Sequence, residues 1–150
     1  MRGLILALIV SVGTNVFAGT SALDAREVYN RLVAANHITN APTLYIENNP
    51  EVNAYQSGGD IVIYTGMLDY VKNQDELARV LGHELSHFTL RHRRSNVKNE
   101  YAADRMGGIY MGLAGYNQCR GALLLKRRGS NGGNDHPADI LRYKAFHCPK

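Results

Sequence analysis

Two histidines stand four positions apart in this chain, His83 and His87, with Glu84 directly after the first. They lie in a segment whose apolar residues, Leu77, Val80, Leu81, Leu85 and Phe88, recur at helical spacing. The pattern predicts a helix running to about His92, capped by Asn73 or Asp75, with Asp75 and Glu76 favourable in its first turn. Residues four apart on a helix share a face, so the two imidazoles project side by side, placed to grip one metal ion. Glu84 can then reach a water on that ion without being a ligand. A zinc ion lowers the pKa of its water towards neutrality, and a neighbouring carboxylate can accept the proton, which is why hydrolytic chemistry uses this spacing.

A catalytic zinc needs a third protein ligand and an open fourth position. The ligand must come from a second element that crosses near the first. Glu100, in the run Asn99-Glu100-Tyr101-Ala102-Ala103-Asp104, meets the requirement at the start of the next predicted helix. Asp104 lies on the same face, four residues on. It can accept a hydrogen bond from the free ring nitrogen of a zinc-bound histidine and so fix its tautomer. The alternative for this acidic pair is an exposed helix face. His92, five residues past His87, falls off the ligand face and reads as structural. His136, before Pro137, and Arg142 are a candidate pair for stabilising an oxyanion, although the loop before them is long.

Around these residues the chain alternates short elements. Leu23 to Asn36 reads as a helix, Thr43 to Glu47 and Val52 to Gln56 as strands, and Ser57-Gly58-Gly59-Asp60 as a hairpin turn. Ile61 to Tyr64 is the strongest strand, and the small sheet is expected to be antiparallel. Further helices are expected at Met67–Val71, Asn99–Leu113 (loosened by Gly107, Gly108 and Gly112), Asn117–Arg127 and Ala138–Phe146, with a Gly- and Asn-rich loop over 128–135. The fold class is therefore α+β, a single domain over residues 19–150 with a small sheet packed beside the His83–His87 helix.

Residues 1–18 have the pattern of a signal peptide. Arg2 gives a positive start, Leu4 to Val12 is almost wholly apolar, and Val16-Phe17-Ala18 offers small residues for cleavage after Ala18. The run is shorter than the roughly 20 residues of a spanning helix, so no stable membrane span is expected after cleavage; an uncleaved anchor is the alternative. Export to the periplasm or the exterior would put Cys119 and Cys148 where disulfides persist, and one intramolecular bridge is expected. The net charge of +4 collects at Arg91, Arg93, Arg94 and Lys98 and again at Lys126, Arg127 and Arg128. Both clusters read first as solvated helix ends, and no nucleic-acid-binding signature accompanies them.

The combination of His83-Glu84-Leu85-Ser86-His87, the Glu100–Asp104 run, Asp135-His136-Pro137 and Arg142 resembles the HtpX-like zinc metallopeptidases, peptidase family M48. The stretch from Asn53-Ala54-Tyr55 to Leu68 is similar to what precedes the zinc helix in that family. The resemblance implies a zincin-like (gluzincin) fold and one Zn2+ per chain, held by His83, His87 and Glu100. It implies Glu84 as general base, Asn53 and Ala54 on an edge strand that pairs with an extended substrate, and His136 as a stabiliser of the transition state or a gate on the open position, supported by Arg142. Only twelve residues separate His87 from Glu100, where many members insert a longer segment. The activity so implied is endopeptidase cleavage of unfolded or extended proteins in the cell envelope. Two other readings compete: a catalytically silent, zinc-stabilised binding or chaperone-like module, and a zinc amidase acting on peptidoglycan. Retention of Glu84, which a structural site does not need, favours an enzyme.

Overall fold

The structure is a computed structural model and describes residues 20–149; the expected signal peptide at 1–18 lies outside the described residues. Helix α1 (Ala22–Ala35) opens with a capping box, in which Ser21 and Asp24 each satisfy the other's backbone N–H. Strands β1 (Thr43–Glu47), β2 (Ala54–Ser57) and β3 (Asp60–Tyr64) follow, then the short α2 (Thr65–Tyr70) and the long α3 (Gln74–Thr89). The chain closes with α4 (Val97–Leu113), α5 (Gln118–Arg128) and α6 (Asp139–Lys144). The core lies between α1, α3 and the sheet, where Leu32, Ile61, Ile63, Leu77, Leu81 and Leu85 are fully buried. Among the described residues no helix is long and apolar enough to cross a membrane.

The sheet has the order β1-β3-β2, and it is mixed rather than antiparallel. β2 and β3 form the expected hairpin, with Gly58 and Gly59 both at positive φ, as a two-residue turn between twisted strands requires. β1, however, runs parallel to β3, Thr43 pairing with Asp60 and Glu47 with Tyr64. The cause is the connection over residues 48–53. It does not fold back along β1 but crosses over the end of β3, where Asn49 O accepts from Gly66 N at 2.9 Å. A Cβ on Gly66 would lie 2.2 Å from Pro50 O, so only glycine leaves room for this crossing.

In the second basic cluster only Lys126 reads as solvated; the two arginines are paired with carboxylates. Arg127 donates to both oxygens of buried Glu76 at 2.7 Å, and Arg128 grips buried Asp139 at 2.7 and 2.6 Å. Asp75, expected as a cap or a first-turn acid of α3, leaves the cap to Asn73, accepts from Asn117 N at 2.8 Å and pairs with Arg120. These pairs fasten α5 against α3 and α6 against α5. Cys119 and Cys148 are bonded, with Cα atoms 5.4 Å apart, so the bridge encloses the loop and helix that bear His136 and Arg142.

Candidate metal centre

Two features deliver the site: the α3 face that carries His83 and His87, and the unusually close crossing of α4. A Cβ on Gly107 would lie 2.9 Å from Gly82 C and 3.0 Å from His83 N. The two helices therefore touch backbone to backbone. The glycines of α4 had read as loosening it; at Gly107 the missing side chain instead permits this approach. The contact holds the first turns of α4, with Glu100 and Asp104, against the histidines. Asn96 caps the helix, its side chain accepting from Asn99 N at 2.9 Å.

His83, His87 and Glu100 present ligand atoms that all lie within 4.8 Å of one another. His83 Nε2 is 3.1 Å from His87 Nε2 and 3.3 Å from Glu100 Oε2, and His87 Nε2 is 3.4 Å from Glu100 Oε1. The far side of each ring decides what those contacts are. His83 Nδ1 lies 2.8 Å from Asp104 Oδ1; with a proton on Nδ1 donated to that carboxylate, Nε2 faces the other donors as a lone pair. His87 Nδ1 lies 3.0 Å from His92 Nδ1. With that proton on Nδ1, His87 Nε2 is bare as well. In those tautomers two imidazole lone pairs and a carboxylate converge, an arrangement that a cation stabilises. A tetrahedral zinc with bonds of about 2.05 Å has donor–donor edges of about 3.3 Å, so the donor set fits the ion in kind and in spacing.

Asp104 is the centre of a buried ionic cluster. Arg142 donates to it twice, from Nε to Oδ2 at 2.7 Å and from Nη2 to Oδ1 at 2.6 Å, and fully buried Arg79 pairs with the same Oδ1. Burial works against the Asp104 charge, but Arg79, Arg142 and His83 hold its carboxyl far below the usual carboxylate range. Burial likewise opposes the charge on Glu100, yet its contacts with His83 and His87 keep it low. His83 is pushed down by burial and up more strongly by the Asp104 and Glu100 carboxylates beside it. Glu84 goes the other way: burial raises its carboxyl, and the nearby histidines only partly offset this. A raised carboxyl is the better proton acceptor near neutrality.

The remaining expected residues take distinct places. Glu84 and His136 line one open cleft with Asn53, Ala54 and Arg142. His136 Nδ1 lies 3.2 Å from Glu100 Oε2, on a loop where Gly132 at positive φ packs against the backbone of Ala138. The structure does not join Arg142 to His136: the guanidinium is turned into the Asp104 cluster, 3.3 Å from His83 Nδ1 and 3.9 Å from Glu100 Oε2. Asn53 and Ala54 are on the sheet edge, but Asn53 has no main-chain group to spare. Its N–H donates to Glu51 O at 3.0 Å and its carbonyl accepts from Tyr64 N at 3.1 Å. By the alternation of an antiparallel ladder, Ala54 and Gln56 are the residues whose N–H and C=O turn to the free edge.

The family model for peptidase family M48 matches residues 21–99, more than half of the chain. The chain belongs to peptidase family M48. The beta-barrel assembly-enhancing protease of Escherichia coli (strain K12) is 39% identical over 111 residues, covering 69% of this chain and 23% of that protein. Metalloprotease YcaL of the same strain is 32% identical over 92 residues, covering 60% and 36%. Protease HtpX of Legionella pneumophila (strain Corby) is 33% identical over 89 residues, covering 53% and 31%. The chain thus spans about a third or less of the length of these M48 relatives.

Two residues of the site escaped sequence reasoning. Arg79 sits one turn before His83, and an arginine in an amphipathic helix carries no mark of burial; its guanidinium lies over the Phe146 ring, 5.0 Å from the centroid. His92 is five residues from His87, which on a continued helix would face away. The helix ends first. Leu90 is the C-cap, Arg91 takes the left-handed conformation (φ 56°), and His92 N returns to His87 O at 3.0 Å. That reversal brings the third imidazole under the second.

Proposed function

We propose that this chain is a zinc metalloendopeptidase with a zincin-like active site. It would hydrolyse internal bonds of unfolded or extended polypeptides after export to the periplasm or the exterior. One observation carries the reading. The ring nitrogens of His83 and His87 meet the Glu100 carboxylate in a cleft that also holds Glu84 and borders the free edge of β2. His83, His87 and Glu100 would hold one Zn2+ per chain. Bound there, the ion supplies a Lewis acid that acidifies water and polarises a carbonyl.

The chain's own groups do the rest. Glu84, its carboxyl raised by burial, takes a proton from water at the cleft and returns it to the leaving amine. Ala54 and Gln56 offer main-chain N–H and C=O groups to an extended substrate, as a strand added to the sheet. Asp104 fixes the tautomer of His83, and Arg142 and Arg79 hold Asp104, which makes Arg142 a positioning residue. His136, beside Glu100 and open to the cleft, is the side chain best placed to meet charge developing on a substrate carbonyl.

Glu84→Gln tests the reading. The variant should keep one zinc per chain and lose cleavage of unfolded casein by about 10²-fold or more. Chelation should abolish cleavage by the unsubstituted protein, and added zinc should restore it. Full cleavage by Glu84→Gln would remove Glu84 from its role. A zinc-loaded protein that leaves casein intact would instead be a binding module, and one that cuts only peptidoglycan an amidase.

A further inference from the structure

The two ends of the cleft beside β2 have opposite chemistry. Near Ala54 the wall carries Met67, Val80, Leu124 and Leu125, and the arginines there, Arg79, Arg128 and Arg142, are each paired with a buried carboxylate. Near Tyr55 and Gln56 the groove faces Arg93 and Arg94, two exposed residues of the α3–α4 connection. Among the described residues, neither arginine is engaged in an ion pair. The segment that bears them is nonetheless pinned: Arg94 O accepts from Asn99 Nδ2 at 2.9 Å, and Ser95 Oγ donates to Glu100 Oε1 at 2.9 Å. Two unpaired guanidinium groups on an anchored segment, across a groove from a free strand edge, form a ready receptor for a carboxylate.

We propose that Arg93 and Arg94 make this groove select an acidic side chain of an extended polypeptide. The proposal rests on the peptidase reading for where the peptide lies. Strand residues rise about 3.4 Å each, so Gln56 lies about 7 Å along the edge from Ala54. The acidic residue therefore falls two or three positions from the bond held at the centre, on one side only. The apolar wall takes the other side. The first basic cluster of the sequence then has a second role besides solvating the end of α3: it sets substrate class.

The test uses zinc-loaded Glu84→Gln protein, which holds peptide without cutting it. Fluorescent decapeptide pools with a central apolar tetrad are flanked on both sides by Glu, by Gln or by Lys. The Glu pool should bind about fivefold more tightly than the Gln pool at low salt, as expected for one partly exposed ion pair, and the Lys pool least tightly. The advantage should shrink as salt rises. Adding R93Q and R94Q should erase it while zinc content stays at one per chain, and R93E with R94E should invert it. Equal binding of the pools, or a Glu preference that survives R93Q and R94Q, overturns the proposal. Mapping of bonds cut by the unsubstituted protein in a denatured protein mixture gives an independent readout. Acidic residues should be enriched at the second or third position on one side; enrichment on both sides or neither overturns it. If nothing is cut but the pools still discriminate, the peptidase reading fails and the recognition stands. If bonds are cut without acidic bias, the reverse holds.

Discussion

Replacing Gly107 with alanine places one methyl group at the point where α4 and α3 touch. That carbon would sit 2.9 Å from Gly82 C and 3.0 Å from both Gly82 O and His83 N, against ordinary contacts of 3.4–4 Å. The obstructing atoms are all backbone, so no side chain can swing away and the helices must separate by about half an ångström or more. Overpacking of this kind costs about 1–3 kcal/mol. Gly112→Ala is the matched control. Its new carbon would meet only the Gln118 side-chain amide, at 3.2 Å, which can move. Both variants gain up to about 1 kcal/mol of helix propensity, so the difference between them isolates the steric cost. With a urea m-value of about 1.5 kcal/mol/M, their unfolding midpoints should differ by about 0.7–2 M, Gly107→Ala the lower. A second readout is zinc affinity by chelator competition. Donor positions must hold to about 0.2 Å, so a shift of α4 that carries Glu100 should weaken binding in Gly107→Ala, by about tenfold, and not in Gly112→Ala. Matching midpoints and matching zinc affinities for the two variants would refute the claim that a glycine contact places the third ligand.

Two further outcomes follow from the geometry. His92→Ala removes the partner of His87 Nδ1 and should weaken zinc binding by about 10–100-fold, whereas His92→Asn, which keeps an acceptor there, should recover much of it; equal loss in both would make the role one of packing. Arg128→Gln removes the double hydrogen bond to buried Asp139, at a cost of about 2 kcal/mol near pH 7. Burial opposes the Asp139 charge, but Arg128 outweighs it and leaves the carboxyl below its ordinary value. A lowered carboxyl contributes stability that is present above its unfolded pKa, near 3.8, and is lost as pH falls through the folded value. Without Arg128 the acid-unfolding midpoint, followed by circular dichroism, should move to higher pH; an unchanged midpoint would mean that Arg142 and Ser130 N suffice.

Much of the site is legible in the sequence because helical geometry is local. His83, Glu84 and His87 are set on one face by spacing alone, and Glu100 with Asp104 by the same rule one helix later. The hairpin at Gly58-Gly59 is equally local, since two adjacent residues at positive φ need nothing beyond themselves to specify a tight turn. The element boundaries moved by only a few residues, as at α3, which ends at Thr89 instead of near His92. That small difference matters: the early stop and the left-handed Arg91 are what bring His92 to His87.

The sequence by itself therefore determined which groups could meet a metal ion, because a repeat of 3.6 residues dictates faces without reference to the rest of the chain. The tertiary structure alone decided how those faces meet. The Gly82–Gly107 contact sets the distance between helices, and it depends on residues 25 positions apart whose significance lies in atoms they lack. The direction of β1 was decided by a connection crossing over Gly66, not by the composition of the strand. Arg79 and Arg142 became supports of the site because Asp104 is buried between them, and Arg127 and Arg128 became structural because Glu76 and Asp139 are buried opposite them. A charge is solvated or paired according to what folds against it, and that is a property of the packed chain.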